Sequence, residues 1–260
     1  MRKFAVMYID THTHYTDEAF GDDAAEAVGR AVAAGVGKMI QADIDSAGRE
    51  AMFSFTEKFP DVLYPMLGLY PGSVNREWRS EFDAMLPYRD RGIVAIGEIG
   101  LDYHEGREFC EQQKQALREQ FELAAAWDLP VNIHLRDATE DFIRILADCA
   151  HLHLRGDLHC FSLSHESYMQ VLKYGDFYVG IGGVVTFKNA SLADTVKKIP
   201  LDRILLETDC PYLAPTPHRG TRNESAYIPL IAEKIAQQKQ IDVAEVEETT
   251  TDNARKLFGI

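Results

Sequence analysis

Short apolar runs alternate with longer amphipathic segments along the whole chain. Eight runs, rich in Val and Ile, lie near residues 8–14, 38–44, 63–70, 93–100, 129–135, 157–161, 177–183 and 204–209. The segments between them carry apolar residues at helical spacing. DDAAEAVGRAVAAG ends at Gly35, a helix stop, and CEQQKQALREQFELAAAWD ends at Asp128, shortly before Pro130. Nearly continuous apolar strands are typical of parallel sheets, whose two faces are both buried. The pattern predicts an α/β protein in which strands and helices alternate.

Eight strand–helix units predict a (β/α)₈ TIM barrel with the active site at the C-terminal ends of the strands. An open doubly wound sheet is the alternative, because the same strands fit both folds. No low-complexity tract, linker or shift in composition divides the chain, so we expect one domain over residues 1–260. The final segment, DVAEVEETTTDNARKLFGI, predicts one more helix packed on the outside.

Composition and charge narrow the class of protein. The chain has 260 residues, of which 46% are hydrophobic and 26% charged, and its net charge is −14. Proteins that bind nucleic acid tightly and without sequence preference normally carry a basic surface. An acidic protein can still act on a phosphodiester if a metal or a few arginines reverse the charge locally. The charge therefore disfavours a DNA-binding protein more than a metallohydrolase.

The cysteines and the hydropathy pattern predict a cytoplasmic protein. Four cysteines lie far apart without a CxxC pair, which favours reduced thiols over a zinc knuckle or a small disulfide scaffold. No run approaches 18 apolar residues, so we expect no membrane contact. The start, MRKFAVMYID, is too short and wrongly flanked for a signal peptide. We infer no stable protein partner from this pattern.

Polar side chains interrupt the ends of five of the strand-like runs. In a barrel these ends open onto one face, and histidines and carboxylates there are candidate metal ligands. A single strand-end histidine or acid has a plainer explanation as a hydrogen-bonded side chain or a helix cap. The combined pattern favours a metal site formed by His12, His14, Glu98, His134, His159 and Asp209.

The number of candidate ligands predicts two metals. Four imidazoles and two carboxylates exceed one tetrahedral zinc site and suit two divalent cations that share a bridging carboxylate. Such pairs activate water and hold the oxygens of an in-line displacement. The mixed nitrogen and oxygen ligands allow Zn, Mn, Co or Mg.

Several motifs together resemble the TatD-like metal-dependent hydrolases, within the amidohydrolase-type barrel superfamily. They are IDTHTH, GLYPGS, VAIGEIGLDY, LPVNIHLRDA, HCFS, YVGIGG, LLETDCPYLAPTPHRGTRNE and TTDNARKLFGI. The resemblance covers nearly the whole chain, and its GEIGLDY and ETDCPYLAP segments are the specific ones. It implies a (β/α)₈ barrel that hydrolyses phosphodiester bonds, typically of DNA from an end.

The resemblance also implies roles for the six candidate ligands. His12 and His14 match ligands of a first metal together with Asp209, and His134 and His159 match ligands of a second. The bridging position is matched by Glu98, where more distant relatives use a carbamylated lysine. We assign catalytic roles to Glu98 and Asp209, the latter also as general base toward the attacking water.

Four further positions are candidates for substrate contact. Arg136, two residues after His134, has the guanidinium fork that suits a phosphate. Arg222 and Glu224, in the RNE stretch, match a family segment beside the active-site mouth; an exposed loop is the plainer interpretation. Tyr70 departs from the family pattern, because GLYP stands where many members have GLHP.

The sequence thus predicts a two-metal hydrolase of phosphodiesters, with the ends of single-stranded DNA as the expected substrate. A small-molecule amidohydrolase, lactonase or esterase that uses the same two metals is the alternative.

Overall fold

A strand overlaps each of the eight predicted apolar runs. The computed structural model describes residues 7–104, 106–188 and 192–260. Its strands are β1 (Tyr8–Thr13), β2 (Val36–Gln41), β3 (Leu63–Pro65), β4 (Ile96–Asp102), β5 (Val131–Arg136), β6 (Arg155–Leu158), β7 (Asp176–Ile181) and β8 (Ile204–Leu206).

Each strand is followed by a helix, as the alternating pattern predicts. The helices are α1 (Ala24–Ala33), α2 (Ser46–Thr56), α3 (Trp78–Asp83), α4 (Cys110–Trp127), α5 (Thr139–Asp148), α6 (His165–Val171), α7 (Leu192–Lys198), α8 (Ile228–Lys239) and a ninth, α9 (Val243–Phe258). Two helix ends lie where the sequence predicts them. Gly35 follows α1 with φ of +90°, and Asp128 ends α4 with φ of 54°, so both leave the helix through the left-handed region.

The strands are parallel and follow one another in cyclic order. Two sheets form the wall, β1-β2-β3 and β4-β5-β6-β7-β8. Parallel bridges connect them on both sides, from Leu67 to Ile96 and from Thr13 to Cys210. Backbone hydrogen bonds extend the second junction, where the Asp209 N–H donates to the carbonyl of His12. This arrangement is the (β/α)₈ barrel that the sequence predicts.

The C-terminal helix lies at the end of the barrel where the strands begin. Thr251 of α9 donates to the carbonyl of Met7, just before β1, and Asn253 donates to the carbonyl of Ile204, the first residue of β8. Leu257 and Phe258 belong to one buried apolar cluster with residues from several strands. The opposite end of the barrel, where the strands finish, is therefore left open to form a site.

Within the described ranges, no helix combines the length and the apolar character needed to cross a membrane.

Candidate metal centre

The six predicted ligand residues lie at the open end of the barrel. They come from five strands or the residues that directly follow them, namely His12 and His14 from β1, Glu98 from β4, His134 from β5, His159 from β6 and Asp209 from β8. Alternate residues of a strand project to the same side, so a histidine pair spaced by one residue points into the same mouth. At the β8 end, Asp209 has φ of 56°, a left-handed conformation that aspartate tolerates better than most residues.

Glu98 occupies the middle of this group. Its Oε2 atom lies 3.3 Å from Nε2 of His12 and 3.6 Å from Nε2 of His14. Its other oxygen, Oε1, lies 2.9 Å from Nδ1 of His134 and 3.4 Å from Nε2 of His159. Each carboxylate oxygen therefore faces a different pair of histidines.

Asp209 completes the group on the side of β1. Its Oδ1 atom lies 3.3 Å from Nε2 of His14 and 3.8 Å from Nε2 of His12. The two imidazoles themselves approach within 3.0 Å, measured between their Nε2 atoms. Nitrogens this close to each other and to carboxylates form a donor set that suits a divalent cation. Two overlapping clusters meet this description, His12–His14–Asp209 and His12–Glu98–His159.

Behind the histidines lies a layer of buried polar residues that the sequence reasoning missed. Asn132 Oδ1 lies 2.9 Å from Nδ1 of His12, and Asp102 Oδ2 lies 2.9 Å from Nε2 of His134. Because a ligand histidine is oriented by the bond at its other nitrogen, these contacts select the atom that faces the centre. His12 therefore presents its Nε2 atom to the centre, and His134 presents its Nδ1 atom.

Two buried carboxyl groups extend this layer. Glu207 Oε1 lies 3.5 Å from Nδ1 of His159 and accepts the backbone N–H of Cys160 at 2.6 Å. Asp157 accepts a hydrogen bond from the Asn132 amide at 2.9 Å. The sequence does contain a signal for three of these residues. Asn132, Asp157 and Glu207 each precede a candidate ligand by two positions. Within a strand this spacing puts two side chains on the same face, as for Asn132 and His134 of β5.

Opposing effects set the charge of the two carboxylates nearest the centre. Burial disfavours ionisation of Glu98, but His12 and His159 outweigh it and hold the pKa of Glu98 well below its ordinary value. Burial likewise disfavours the charged form of Asp209, and a hydrogen bond with His14 nevertheless lowers its pKa. Both groups are therefore anionic near neutral pH, as cation ligands must be.

Asp157, in the deeper layer, has the opposite property. Burial is the main reason why the pKa of Asp157 is raised to about 8, and the neighbouring Glu207 carboxylate adds to the rise. Near neutral pH Asp157 is thus mainly a neutral acid.

The matching family model is described as TatD related DNase, and it matches residues 9–259. This chain belongs to that family. It is 38% identical over 261 residues to the uncharacterized metal-dependent hydrolase YabD of Bacillus subtilis strain 168, an alignment that covers 98% of this chain and 100% of YabD. It is also 32% identical over 259 residues to a protein of Erwinia tasmaniensis named 3'-5' ssDNA/RNA exonuclease TatD, covering 96% and 99% of the two chains.

A solved structure agrees with this membership. The crystal structure of YJJV, a TatD homologue from Escherichia coli K12, superposes with a TM-score of 0.89 at 27% identity and covers 97% of this chain and 98% of its own. Together these relatives place the chain among the TatD-family metal-dependent hydrolases.

The centre of this TatD-family protein opens into a cavity of about 880 Å³. Among the described residues that line it, Arg136 is the one lysine or arginine, and none of the described carboxylates forms an ion pair with it. Tyr70 also lines the cavity, with its ring edge-on to that of His134 at 5.1 Å between centroids. Both of these predicted substrate residues are therefore at the mouth.

Arg222 and Glu224, the other two predicted substrate residues, are not among the residues that line the cavity. Glu224 is buried and accepts hydrogen bonds from the guanidinium of Arg30 on α1, at 2.6 Å from Nη2. Arg222 pairs with Asp23 just before α1. The structure thus places both in an ion-pair network that joins the loop after β8 to the first helix. Asn223, between them, donates to the carbonyl of Thr208 and so holds the same loop beside the end of β8.

Proposed function

We propose that this protein is a two-metal phosphodiesterase that removes nucleotides from the ends of single-stranded DNA. The observation that supports this most directly is the position of Glu98, whose two oxygens face different histidine pairs. A carboxylate shared by two cations is the arrangement used for in-line displacement at phosphorus. The name of the Erwinia relative, an exonuclease of single-stranded DNA and RNA, supports a nucleic-acid substrate.

The donor atoms fit two cations. His12, His14 and Asp209 would hold one together with Glu98 Oε2, and His134 and His159 would hold the other together with Glu98 Oε1. When bound, such cations activate a water molecule and neutralise charge on the phosphate oxygens. We keep Zn, Mn, Co and Mg as candidates, since this ligand set accepts all four.

Asp209 is the residue that we expect to take the proton from the attacking water. Its side chain lines the cavity and is 16% exposed, whereas that of Glu98 is 4% exposed. A general base has to reach the proton that it removes, directly or through one water. Asp209 meets this condition from the cavity, while Glu98 is enclosed by the histidines.

Arg136 is the residue that we expect to orient the phosphate. It is exposed at the end of β5, beside His134, and its guanidinium can donate two parallel hydrogen bonds to phosphate oxygens. The chain carries a net charge of −14, so DNA is repelled by most of the surface. Substrate binding then depends on a few contacts at the mouth.

A metal-supplemented substrate screen tests this proposal. The protein is stripped of metal and assayed with Mn, Mg, Zn or Co on single strands labelled at the 5' or the 3' end, on duplex DNA, and on a panel of lactones, amides and esters. We expect release of labelled mononucleotides from one end of the single strands, and two metal equivalents per chain by mass spectrometry. Turnover confined to the small-molecule panel would replace the nuclease with the amidohydrolase alternative.

A cytoplasmic location belongs to the same proposal. All four cysteines are free in the structure, with Cys149 and Cys210 buried. Thiols without disulfides are typical of a reducing compartment.

A further inference from the structure

Two exposed apolar side chains lie at the mouth of the cavity. Seven large apolar side chains of the described chain are exposed, and of these Tyr212 and Leu213 line the cavity. Tyr212 is 51% exposed and Leu213 42%. The two residues follow Asp209 closely in the chain. Apolar surface at the rim of a polar site marks a position where a ligand is contacted.

The Tyr212 ring is held in place although it is exposed. Its hydroxyl donates to the carboxylate of Asp17 at 2.6 Å, and its backbone N–H donates to the carbonyl of Asp209 at 2.8 Å. The buried amide of Asn223 donates to the Tyr212 carbonyl at 2.6 Å. Both ends of the residue are therefore tied, while the residue is half exposed and lines the cavity. An aromatic ring fixed in this way loses little conformational freedom when a ligand stacks on it.

Leu213 adopts a conformation that leucine rarely has. Its φ is 54°, in the left-handed region, where a residue with a Cβ atom is strained. The loop is held there by close packing, since an added Cβ on Gly183 would lie 2.2 Å from the Leu213 carbonyl oxygen. Strained residues persist where the surrounding structure determines them, commonly beside functional sites. Here the strain places an apolar side chain next to the tyrosine ring, at the cavity rim.

Tyr212 lies close enough to the candidate metal ligands for one bound molecule to contact both. The Tyr212 and His14 rings are 6.2 Å apart between centroids. Both rings line the same cavity, so Tyr212 stands within reach of a nucleotide whose phosphate lies at the candidate metal ligands.

We infer that Tyr212 and Leu213 form a stacking site for one unpaired nucleobase next to the scissile phosphate, an inference that rests on the proposed function. Every base has a π face, so stacking on an aromatic ring is tolerant of sequence. It requires a base that is free of its partner strand. The site therefore gives a physical reason for a preference for single strands, which a phosphate contact alone does not supply.

The test combines Tyr212→Ala with removal of a base from the substrate. Steady-state kinetics are measured on a single strand and on matched strands that carry an abasic residue at either position flanking the scissile bond. We expect Tyr212→Ala to reduce kcat/KM on the normal strand by about 5- to 100-fold, the range for loss of one base–aromatic stack. On the strand that lacks the stacked base, the same variant should lose much less, because there is no stack to remove.

Tyr212→Phe is the matched control, since it keeps the ring and removes only the hydrogen bond to Asp17. We expect it to lose much less than Tyr212→Ala on the normal strand, because the stacking ring remains. An equal loss for Tyr212→Ala on normal and abasic strands would overturn the stacking site and show that the residue only supports the loop. A wild-type protein that cleaves no strand in any metal would instead overturn the proposed function, and the stacking site with it.

Discussion

The two pairs of histidines at the metal centre differ in what stands behind them. In the pair from β5 and β6, a carboxylate lies behind each ring. Asp102 lies 2.9 Å from Nε2 of His134, and Glu207 lies 3.5 Å from Nδ1 of His159. A carboxylate in this position fixes the ring and makes the imidazole a stronger electron donor to a metal.

The pair from β1 is supported without added charge. His12 is backed by the neutral amide of Asn132, and the carboxylate on this side, Asp209, stands at the mouth beside His14. One half of the centre therefore has its charge behind the ligands, and the other half has it in the cavity. The two halves thus orient their histidines by different means, through carboxylates on the β5–β6 side and through a neutral amide on the β1 side.

The largest effect is expected at the residue that both halves share. Glu98→Ala should abolish hydrolysis and reduce bound metal to one equivalent or fewer, because Glu98 alone faces both histidine pairs among the described residues. Metal content by mass spectrometry and turnover on the best substrate of the screen measure this. Glu98→Gln is the control for shape, since it removes only the charge. Two tightly held metals in Glu98→Ala would show that Glu98 does not bridge.

The next effect concerns the β1 half alone. Asp209→Asn should leave the fold intact and lower kcat by about 10²- to 10⁴-fold, the usual contribution of a general base. Circular dichroism and thermal unfolding check the fold, and initial rates at saturating substrate give kcat. Asp45→Asn is the matched control, because Asp45 lines the same cavity and is not one of the six candidate ligands. A variant that keeps more than about a tenth of wild-type kcat would rule out Asp209 as the base.

Removing a supporting group from each half tests the difference between them. Asp102→Asn should weaken binding of one cation by about 10- to 100-fold, the typical cost of losing an outer partner of a ligand histidine. Asn132→Ala should weaken the other cation by less, because a neutral hydrogen bond contributes less than one to a charged group. Competition with a chelator of known affinity measures both. Equal losses in the two variants would mean that the halves are not supported differently.

The smallest effects concern phosphate binding. The dependence of log K on log salt should have a slope no steeper than about −3 on single strands, or roughly three to four phosphates at about −0.7 each. Binding titrations between low and moderate salt give the slope. A steeper slope would indicate that a further basic surface contacts the strand.

Arg136→Lys should lower kcat/KM by roughly tenfold, since lysine keeps the charge but cannot form the paired hydrogen bonds of guanidinium.

Much of the fold was open to prediction because it depends on local spacing. Each of the eight apolar runs overlaps a strand, and Gly35 and Asp128 mark the ends of the helices before β2 and β5. Hydrophobic periodicity is repeated over many residues, so errors at single positions do not change the result. The closing contacts between β8 and β1 could not be predicted, since they join residues almost 200 positions apart, as in the hydrogen bond from Thr208 to Asp10.

The direction in which the charged side chains of the RNE stretch point was set by the tertiary structure and could not be predicted from the motif. Glu224 is turned toward Arg30 on α1 and Arg222 toward Asp23. A charged loop after the last strand can face either the cavity or the first helix. The choice depends on which partners the folded helix presents.

The sequence alone was sufficient for the alternation of strands and helices and for the set of histidines and carboxylates at the strand ends, because strand register converts a two-residue spacing into a shared direction. Only the tertiary structure decided which nitrogen of each histidine faces the centre and which oxygen of Glu98 each pair meets. Those choices depend on buried partners such as Asn132 and Asp102, which come from other strands. A buried polar group has to find its hydrogen-bond partner in space, and its position in the chain does not reveal that partner.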